Sequence, residues 1–141
     1  MLKVVVDTNI VVSAALSPDG NCAKILDIIA ENEEILLYCN GEILFEYNEV
    51  LSRKRLKIAD RIQKGIIESI IKHGIKLEPT PSEVQLLDES DRIFYDTALA
   101  AGAILITGNK KHYPAERFFI LPAEFLKLLE SEFAIDPLPF N

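Results

Sequence analysis

Short apolar runs recur along the chain, and their length and β-branched residues predict the strands of a buried sheet. The first run is Lys3–Val6, which ends in three valines. The later runs lie at 35–38, 75–78, 103–107 and 118–120. Pro79 and Pro81 follow the run at 75–78 and break regular structure there.

Between these runs, apolar residues recur every three or four positions, which is the spacing of a helix with one buried face. The predicted helices span 9–16 (a short helix or turn), 21–32, 41–53, 58–73, 88–101 and 122–133. Asn21 is the predicted N-cap of the second of them, and Pro122 suits the first position of the last. Gly74 and Gly102 follow two helices, as glycine commonly does where a helix stops.

Strands that alternate with helices predict an α/β fold, a three-layer α/β/α sandwich with a mainly parallel central sheet. The whole chain, 1–141, is expected to form this single domain. In such folds the functional cleft lies beyond the carboxyl ends of the strands. Asp7 ends the first strand and Thr107-Gly108-Asn109 ends the strand at 103–107, so both are expected at the same edge.

Asp7 and Glu46 are the first two candidate site acids, and each has a plainer alternative. Asp7 directly follows a buried strand, where it could bind a metal or cap the helix that follows. Glu46 shares one helix face with Glu42 and Glu49. It could be a solvated member of that stripe, with Glu49 paired to Arg53, or a ligand to a cation that relieves the repulsion between the acids.

Three more aspartates lie at the start of the Ala-rich helix. Asp88 is a candidate cap, and Asp91 falls in the first turn, where the helix dipole favours anions. Capping and a site role are compatible, and we expect Asp91 to have both. Asp96 is turned away from Asp91 around the helix, so we expect it to support the site from behind. Its alternatives are a salt bridge with Arg92 or a buried polar contact.

Composition limits the functions that these acids could serve. The chain has 141 residues, 49% of them hydrophobic, and a net charge of −7. That charge argues against a broad basic face that wraps duplex DNA, but it leaves a nuclease open, since metal-binding carboxylates count as negative. His73 and His112 are too few for a usual zinc site, and Cys22 and Cys39 are expected to be reduced core thiols.

The amino-terminal stretch does not have the form of a signal peptide, because Asp7 interrupts its apolar residues and no small-residue cleavage site follows. No apolar run is long enough to span a bilayer. We therefore expect a cytoplasmic protein with no membrane partner.

Carboxylates that converge on one cleft repel one another and stay ionised only where cations lie between them. Oxygen ligands without His or Cys select Mg²⁺ or Mn²⁺. Such ions commonly serve phosphoryl chemistry, since one ion can activate the attacking water and a second can stabilise the leaving oxygen. The candidate acids therefore favour phosphodiester hydrolysis.

Motifs along nearly the whole chain resemble those of PIN-domain proteins, in particular the small VapC-like ribonuclease toxins of toxin–antitoxin systems. The family's first motif is matched by VVVDTNIVVSAAL and its second by EILFEYNEVLSR. Its third and fourth motifs are matched together by LLDESDRIFYDTALAAGAILITGNKKHYP, and its last strand and helix by ILPAEFLKLL. The resemblance implies a catalytic site at Asp7, Glu46, Asp91 and Asn109, with the three acids holding Mg²⁺ or Mn²⁺.

One position departs from the family pattern. The fourth motif position is often Asp, and here it is Asn109. An amide oxygen can bind a metal or orient a water, but it adds no negative charge. The site therefore has one charge fewer, which Asp88 or Asp96 could compensate.

The resemblance also implies a ribonuclease whose partners are RNA, an antitoxin protein and a second copy of the chain in a homodimer. Small polar positions near the family's acids are matched by Thr8, Asn9, Ser13 and Thr107. These side chains could bond a carboxylate or a phosphate, or they could be ordinary turn and cap residues.

Two basic groups could contact an RNA backbone. Lys110 and Lys111 follow Asn109 at the expected cleft edge and are the better candidates. The second group, at 53–61, could equally be a solvated helix end, since cations are favoured there.

Two other classes of function stay open. A PIN-like module that binds RNA or protein with little catalysis is favoured by Asn109, whereas Asp7, Glu46 and Asp91 favour an active nuclease. A phosphatase with Asp7 as its nucleophile is the weaker alternative, because the DxD pattern expected after such a strand is absent.

Overall fold

The computed structural model describes residues 1–114 and 118–132, and within them the chain alternates between strands and helices. The strands are β1 (Leu2–Val6), β2 (Ile35–Cys39), β3 (Gly74–Lys76), β4 (Ile104–Ile106) and β5 (Phe119–Ile120). The helices are α1 (Thr8–Leu16), α2 (Asn21–Glu31), α3 (Gly41–Leu51), α4 (Asp60–His73), α5 (Arg92–Ala101) and α6 (Pro122–Glu132). Short 3-10 turns lie at Lys54–Leu56, Glu89–Asp91 and Lys110–His112.

The five strands form one parallel sheet in the order β3-β2-β1-β4-β5, with β1 at its centre. Val4, Val5 and Val6 of β1 are all buried although successive side chains point to opposite faces, so both faces of the sheet are covered. α5 packs on β1, β2 and β4, while α2 and α4 pack on β2. The predicted three-layer α/β/α sandwich with a parallel sheet is confirmed.

The register between β1 and β4 brings the candidate residues together. Val6 pairs with Ile106, and the amide of Asp7 donates to the carbonyl of Ile106 over 3.0 Å. Asp7 and Thr107 therefore leave the sheet side by side. The expectation that they lie at the same edge is confirmed.

The predicted cap of α2 is wrong. Gly20 is the N-cap, and Asn21 is already the first helical residue. The reason is a close approach in the preceding loop, because a Cβ at position 20 would lie 3.3 Å from the Cβ and carbonyl oxygen of Ser17. Glycine therefore takes the position that a capping side chain would otherwise hold.

Gly74 and Gly102 end their helices as predicted, but for different reasons. Gly102 has a φ of 64°, the left-handed conformation that glycine adopts without strain. Gly74 has an extended backbone with a φ of −71°. A Cβ there would lie 2.6 Å from the carbonyl oxygen of Ile70, so close packing, not a positive φ, requires glycine.

The helix predicted at 88–101 forms in two parts, the 3-10 turn Glu89–Asp91 and then α5. The end of the last predicted helix at 133, and the tail from 136 onward, lie outside the described residues. Cys22 and Cys39 are free thiols. Among the helices that the structure describes, none is both long and apolar enough to cross a membrane.

Candidate active site

Asp7 is the most heavily hydrogen-bonded acid at the carboxyl edge of the sheet. It is 5% exposed and is the N-cap of α1, with its Oδ1 accepting from the amide of Thr8 over 2.8 Å. Its Oδ2 accepts from the Thr107 hydroxyl at 2.8 Å, the Tyr113 hydroxyl at 3.0 Å and the Asn9 amide nitrogen at 3.2 Å. Three donors fill Oδ2, so Oδ1 keeps the acceptor position that an ion could use.

Further bonds fix the loop after β4 and join it to the start of α1. The side-chain oxygen of Asn9 accepts from the amide of Gly108 over 2.8 Å, which joins the two segments. Within the loop, the hydroxyl of Thr107 accepts from the backbone amide of Asn109 over 3.0 Å. The loop after β4 is thereby held against the start of α1, with the backbone of Asn109 bonded to Thr107 beside Asp7.

Tyr113 is a site residue that the sequence did not reveal. Its ring is buried against Phe119, with 4.9 Å between the ring centroids, while its hydroxyl reaches Asp7. Burial, and then the charges of Asp7 and Asp91, raise the pKa of Tyr113 far above its usual value, so the phenol stays protonated and donates. In the sequence alone, a tyrosine after a basic run does not indicate a site residue, because an aromatic residue at such a position is equally typical of the core.

Glu46 differs from the other acids of its helix face. The Thr8 hydroxyl donates to its Oε2 over 2.6 Å. Burial raises the pKa of Glu46, with a further contribution from the charge of Asp7, and the bond from Thr8 partly offsets the rise. Glu49 pairs with Arg53 at 3.5 Å, as predicted. Glu46 is therefore a half-buried acid beside Asp7 and not a member of a solvated stripe.

Asp91 is the least satisfied of the three acids. Its Oδ2 is buried and has no hydrogen-bond partner among the described residues. The imidazole Nδ1 of His112 lies 3.5 Å from that oxygen. Burial, then the charges of Asp7 and Asp88, raise the pKa of Asp91 to about 6, with a smaller contribution from Glu46. Asp7, Glu46 and Asp91 therefore act on one another electrostatically.

Asp88 and Asp96 are placed differently from each other. Asp88 is exposed and caps the Glu89–Asp91 turn, accepting from the amide of Ser90 over 2.9 Å. Its charge raises the pKa of Asp91, so it contributes to the field of the site. Asp96 is buried on α5, and its Oδ2 accepts from the amide of Ser82 over 3.1 Å. Asp96 is not one of the charges that shift the pKa of Asp91. Its Oδ1 is buried and, like Oδ2 of Asp91, has no hydrogen-bond partner among the described residues.

Arg92 does not form the salt bridge with Asp96 that the sequence offered as an alternative. Its guanidinium instead donates to the carboxylate of Glu89 at 2.6 and 2.9 Å, and to the carbonyl oxygens of Ser82 and Val84 at 2.8 and 2.5 Å. Backbone carbonyls compete successfully for the guanidinium because its donors are spread over a planar fork.

Two predicted contacts of the site are taken up elsewhere. Burial raises the pKa of the Cys22 thiol on α2, and a hydrogen bond with the Ser13 hydroxyl partly offsets the rise, so within the described contacts Ser13 serves the packing of α1 on α2. The ammonium of Lys110 pairs with Glu124 on α6 at 3.0 Å. Lys111, which forms no ion pair within the described residues, is therefore the more available cation.

The acids offer the oxygen donors that Mg²⁺ or Mn²⁺ prefers, although the described residues contain no three His, Cys, Asp or Glu side chains already arranged around one point. The orphaned Oδ2 of Asp91 and the open acceptor position on Oδ1 of Asp7 are the observations that fit an ion. Glu46 has one carboxylate oxygen bonded to Thr8 and a second available. Asn109 can add a neutral oxygen.

Comparison with known proteins gives three findings. A family model described as the PIN domain matches residues 3–111, which include Asp7, Glu46, Asp91 and Asn109. An uncharacterized protein of Methanocaldococcus jannaschii is 38% identical over 113 residues, 77% of this chain and 72% of that protein. The crystal structure of VapBC2 from Rickettsia felis bound to a DNA fragment from their promoter contains a similar fold. Its TM-score is 0.55 at 14% identity, with 85% of this chain and 97% of that chain covered.

Proposed function

The chain belongs to the PIN domain family, and from that premise we propose that it is a metal-dependent ribonuclease that hydrolyses RNA phosphodiester bonds at its carboxylate cluster. The observation that supports this most is the state of Asp91. Its buried oxygen lacks a partner, and its pKa is raised by burial and by the acids around it. A buried carboxylate oxygen without a partner destabilises the folded state, and a bound cation is the simplest way to offset that destabilisation.

A divalent ion held by Asp7, Glu46 and Asp91 would supply an activated water and neutralise charge on the phosphate oxygens. The chain's own residues prepare that arrangement. The hydroxyls of Thr107 and Tyr113 hold Oδ2 of Asp7, which leaves Oδ1 directed to other partners. Thr8 orients Glu46 through one oxygen. Asn109 would orient a water or a phosphate through its side-chain amide, without adding charge.

Toxin function within a toxin–antitoxin pair is the finer part of the proposal. It is supported by the motif resemblance and by a fold similar to that in a structure titled as a VapBC complex. The proposal includes an antitoxin protein and a homodimer as partners in the cytoplasm. Light scattering of the purified chain, alone and after co-expression with the product of an adjacent gene, tests both partners. A monomer that elutes alone in both cases would contradict them.

The test of the activity is cleavage of a labelled RNA with Mg²⁺, with Mn²⁺ and with EDTA. We compare the wild type with Asp7→Asn and Asp91→Asn, and use Asp60→Asn on α4 as a matched acid-to-amide control. We expect cleavage by the wild type and the control only when a metal is present. Activity that persists in EDTA and in both site variants would refute the metal-nuclease proposal.

A second candidate function is a PIN-like binding module with little catalysis, and Asn109 is the observation that favours it. This alternative predicts RNA or protein binding without cleavage at any metal concentration. If Asn109→Asp then produced metal-dependent cleavage, the missing carboxylate would be the cause of the inactivity.

A further inference from the structure

A groove of about 500 Å³ lies beside the acids, between the segments 85–87 and 111–114, and we refer to it as the Leu87 groove. Two contacts place it next to the site. His112 lies 3.5 Å from Asp91 and Tyr113 lies 3.0 Å from Asp7, and both belong to one wall of the groove. The other wall leads directly into Asp88 and the turn that carries Asp91.

The charges of the Leu87 groove are unusual for this chain. Although the net charge is −7, none of the described residues that line the groove is Asp or Glu. Lys111 stands at its edge, exposed and without an ion pair in the described part of the chain, whereas the neighbouring Lys110 is held by Glu124. The described lining therefore presents one cation and no carboxylate to an entering anion, while Asp91 lies 3.5 Å from His112.

The groove also offers an apolar surface that the fold does not use. Leu87 is 82% exposed, although the leucine before it is half-buried. Gln85, which is exposed on the same wall, adds an amide that can both donate and accept hydrogen bonds. An apolar side chain, an amide and a cation around one cavity match the three parts of a nucleotide: base face, base edge and phosphate.

The wall that carries Leu87 is held in place and is not a free loop. The guanidinium of Arg92 donates to the carbonyl of Val84, and the carboxylate of Asp96 accepts from the amide of Ser82. Two other cavities, of about 270 and 260 Å³, lie along α4, and their described linings include neither His112 nor Tyr113, the groove residues that reach Asp91 and Asp7. The Leu87 groove thus adjoins the acids, and hydrogen bonds hold the segment that leads into one of its walls.

We propose that the Leu87 groove holds one unpaired nucleoside of the RNA substrate beside the bond that is cleaved, with the base against Leu87 and its phosphate on Lys111. This rests on the proposed ribonuclease function. The cavity is within the range of roughly 300–1,000 Å³ typical of small-ligand sites. Contact with a base face requires that the base be unstacked, so the groove selects single-stranded RNA over a duplex.

The test measures binding in EDTA, so that it does not depend on catalysis. The probe is a fluorescein-labelled single-stranded RNA of mixed sequence and about eight nucleotides, titrated at several salt concentrations. For Lys111→Ala we expect weaker binding and a decrease of about 0.7 in the slope of log affinity against log salt, the value of one lost single-strand phosphate contact. For Leu87→Ala we expect binding about fivefold weaker at every salt concentration, because apolar contact with the base is lost, with the slope unchanged, since no charge is removed.

Two matched controls are Phe45→Ala, an apolar residue that is 71% exposed on α3, and Lys64→Ala, an exposed lysine on α4. Neither should change the affinity or the slope. Circular dichroism checks that all four variants fold. If the groove variants bind the RNA as the controls do, or if a duplex of the same sequence binds equally well, the groove is not the nucleoside site. A surface that instead served a protein partner would give this same result.

Failure of the ribonuclease proposal and failure of the nucleoside-site proposal give different results. If the wild type cleaves RNA in Mn²⁺ but Leu87→Ala keeps its KM, the ribonuclease function stands and the nucleoside site is wrong. If the salt titration supports the groove but the wild type cleaves nothing, the nucleoside site stands and the ribonuclease function is wrong. Photo-crosslinking with a 4-thiouridine probe adds direct evidence, since crosslinks on 85–87 or 111–114 support the groove and crosslinks confined to 53–61 oppose it.

Discussion

At the scale of single residues, the site is a set of acids held in unequal states. Asp7 is surrounded by donors, Glu46 has one, and the buried oxygen of Asp91 has none among the described residues. The repulsion between them therefore falls mainly on Asp91. This repulsion should lower the free energy of unfolding of the metal-free protein, and added metal should restore it.

Asp91→Asn should stabilise the protein in EDTA at about pH 7.5. The pKa of Asp91 in the folded protein, about 6, lies above its ordinary 3.8, so the folded state holds the proton more tightly than the unfolded chain. The tighter binding of the proton stabilises the folded state relative to the unfolded chain. This stabilisation is fully present below about pH 4 and is lost as the pH rises through 6. We expect a gain on the order of 1 kcal/mol in the free energy of unfolding by urea, fading towards pH 4.

Asp88→Asn is the control for that prediction. The amide and hydroxyl of Ser90 lower the pKa of Asp88, so removing its charge should bring no gain at any pH. An Asp91→Asn gain that stays the same at pH 7.5 and pH 4 would contradict the electrostatic explanation, because the cause would then be packing and not charge.

Tyr113→Phe should separate the packing of the ring from the bond to Asp7. The ring keeps its contact with Phe119, but Asp7 loses one of three donors to its Oδ2. We expect a loss of about 1–2 kcal/mol of stability and Mn²⁺ binding weakened about tenfold, since the lost donor no longer fixes the carboxylate. Tyr38→Phe on β2 is the matched control. Unchanged Mn²⁺ binding in Tyr113→Phe would show that Thr107 and Asn9 suffice.

At the scale of elements, the long connection from β3 to the Glu89–Asp91 turn is the least regular part of the site. It contains no helix or strand between 77 and 88, yet it forms one wall of the Leu87 groove. Its order depends on α5, because Arg92 and Asp96 bind its backbone at Ser82 and Val84. The helix that follows the site acid thus also fixes the segment that precedes it.

Arg92→Lys should loosen this connection while keeping the charge. A lysine ammonium cannot reach the carbonyls of Ser82 and Val84 and the carboxylate of Glu89 together, as the guanidinium fork does. We expect amide hydrogen exchange of the 79–88 peptide to become at least several-fold faster, with the β1 peptide unchanged. Arg61→Lys on α4 is the control. Equal protection of 79–88 in both variants would mean that the segment is held by its apolar contacts.

The elements themselves were largely predictable from sequence because burial imposes a period on the chain. The consecutive valines of β1 predict a buried strand, and the spacing of the isoleucines of α4 predicts one apolar face of a helix. The cap of α2 was not predictable in this way, because close approach decides it and a linear pattern does not record close approach. Gly20 is the cap in place of Asn21. The end of α4 at Gly74 was predicted, although a nearby carbonyl and not the conformation of the glycine requires it.

At the scale of the whole molecule, the order of the motifs along the chain singled out Asp7, Glu46 and Asp91 as candidate site acids. Asp7 directly follows β1, Glu46 lies within α3 and Asp91 lies in the turn before α5. The contacts between distant segments could not be located in this way. Tyr113 meets Asp7 across 106 positions, and the Leu87 groove joins two segments about 25 positions apart, 85–87 and 111–114, whose proximity the motif order does not indicate. Such partners depend on the packed fold, so they become visible only when the sheet has brought its carboxyl ends together.

Because the chain has a net charge of −7, the number of acids at the cleft should affect both stability and metal binding. Position 109, where an asparagine stands, is the place to change that number by one. Asn109→Asp restores the acid that the family often has there. In EDTA at pH 7.5 the variant should be less stable, because a further carboxylate joins a group that already repels itself. With metal the same charge becomes favourable, and we expect the Mn²⁺ concentration at half-saturation to fall about tenfold, equivalent to about 1.4 kcal/mol.

Titration of the melting temperature with Mn²⁺ measures both effects in one experiment, since an ion that binds only the folded state raises it. Asn48→Asp on α3 is the control, because it adds the same charge on an exposed helix face. It should leave the Mn²⁺ midpoint unchanged. If Asn109→Asp also leaves the midpoint unchanged but lowers stability, the side chain at 109 lies near the acids without reaching the ion, and the site functions with three carboxylates alone.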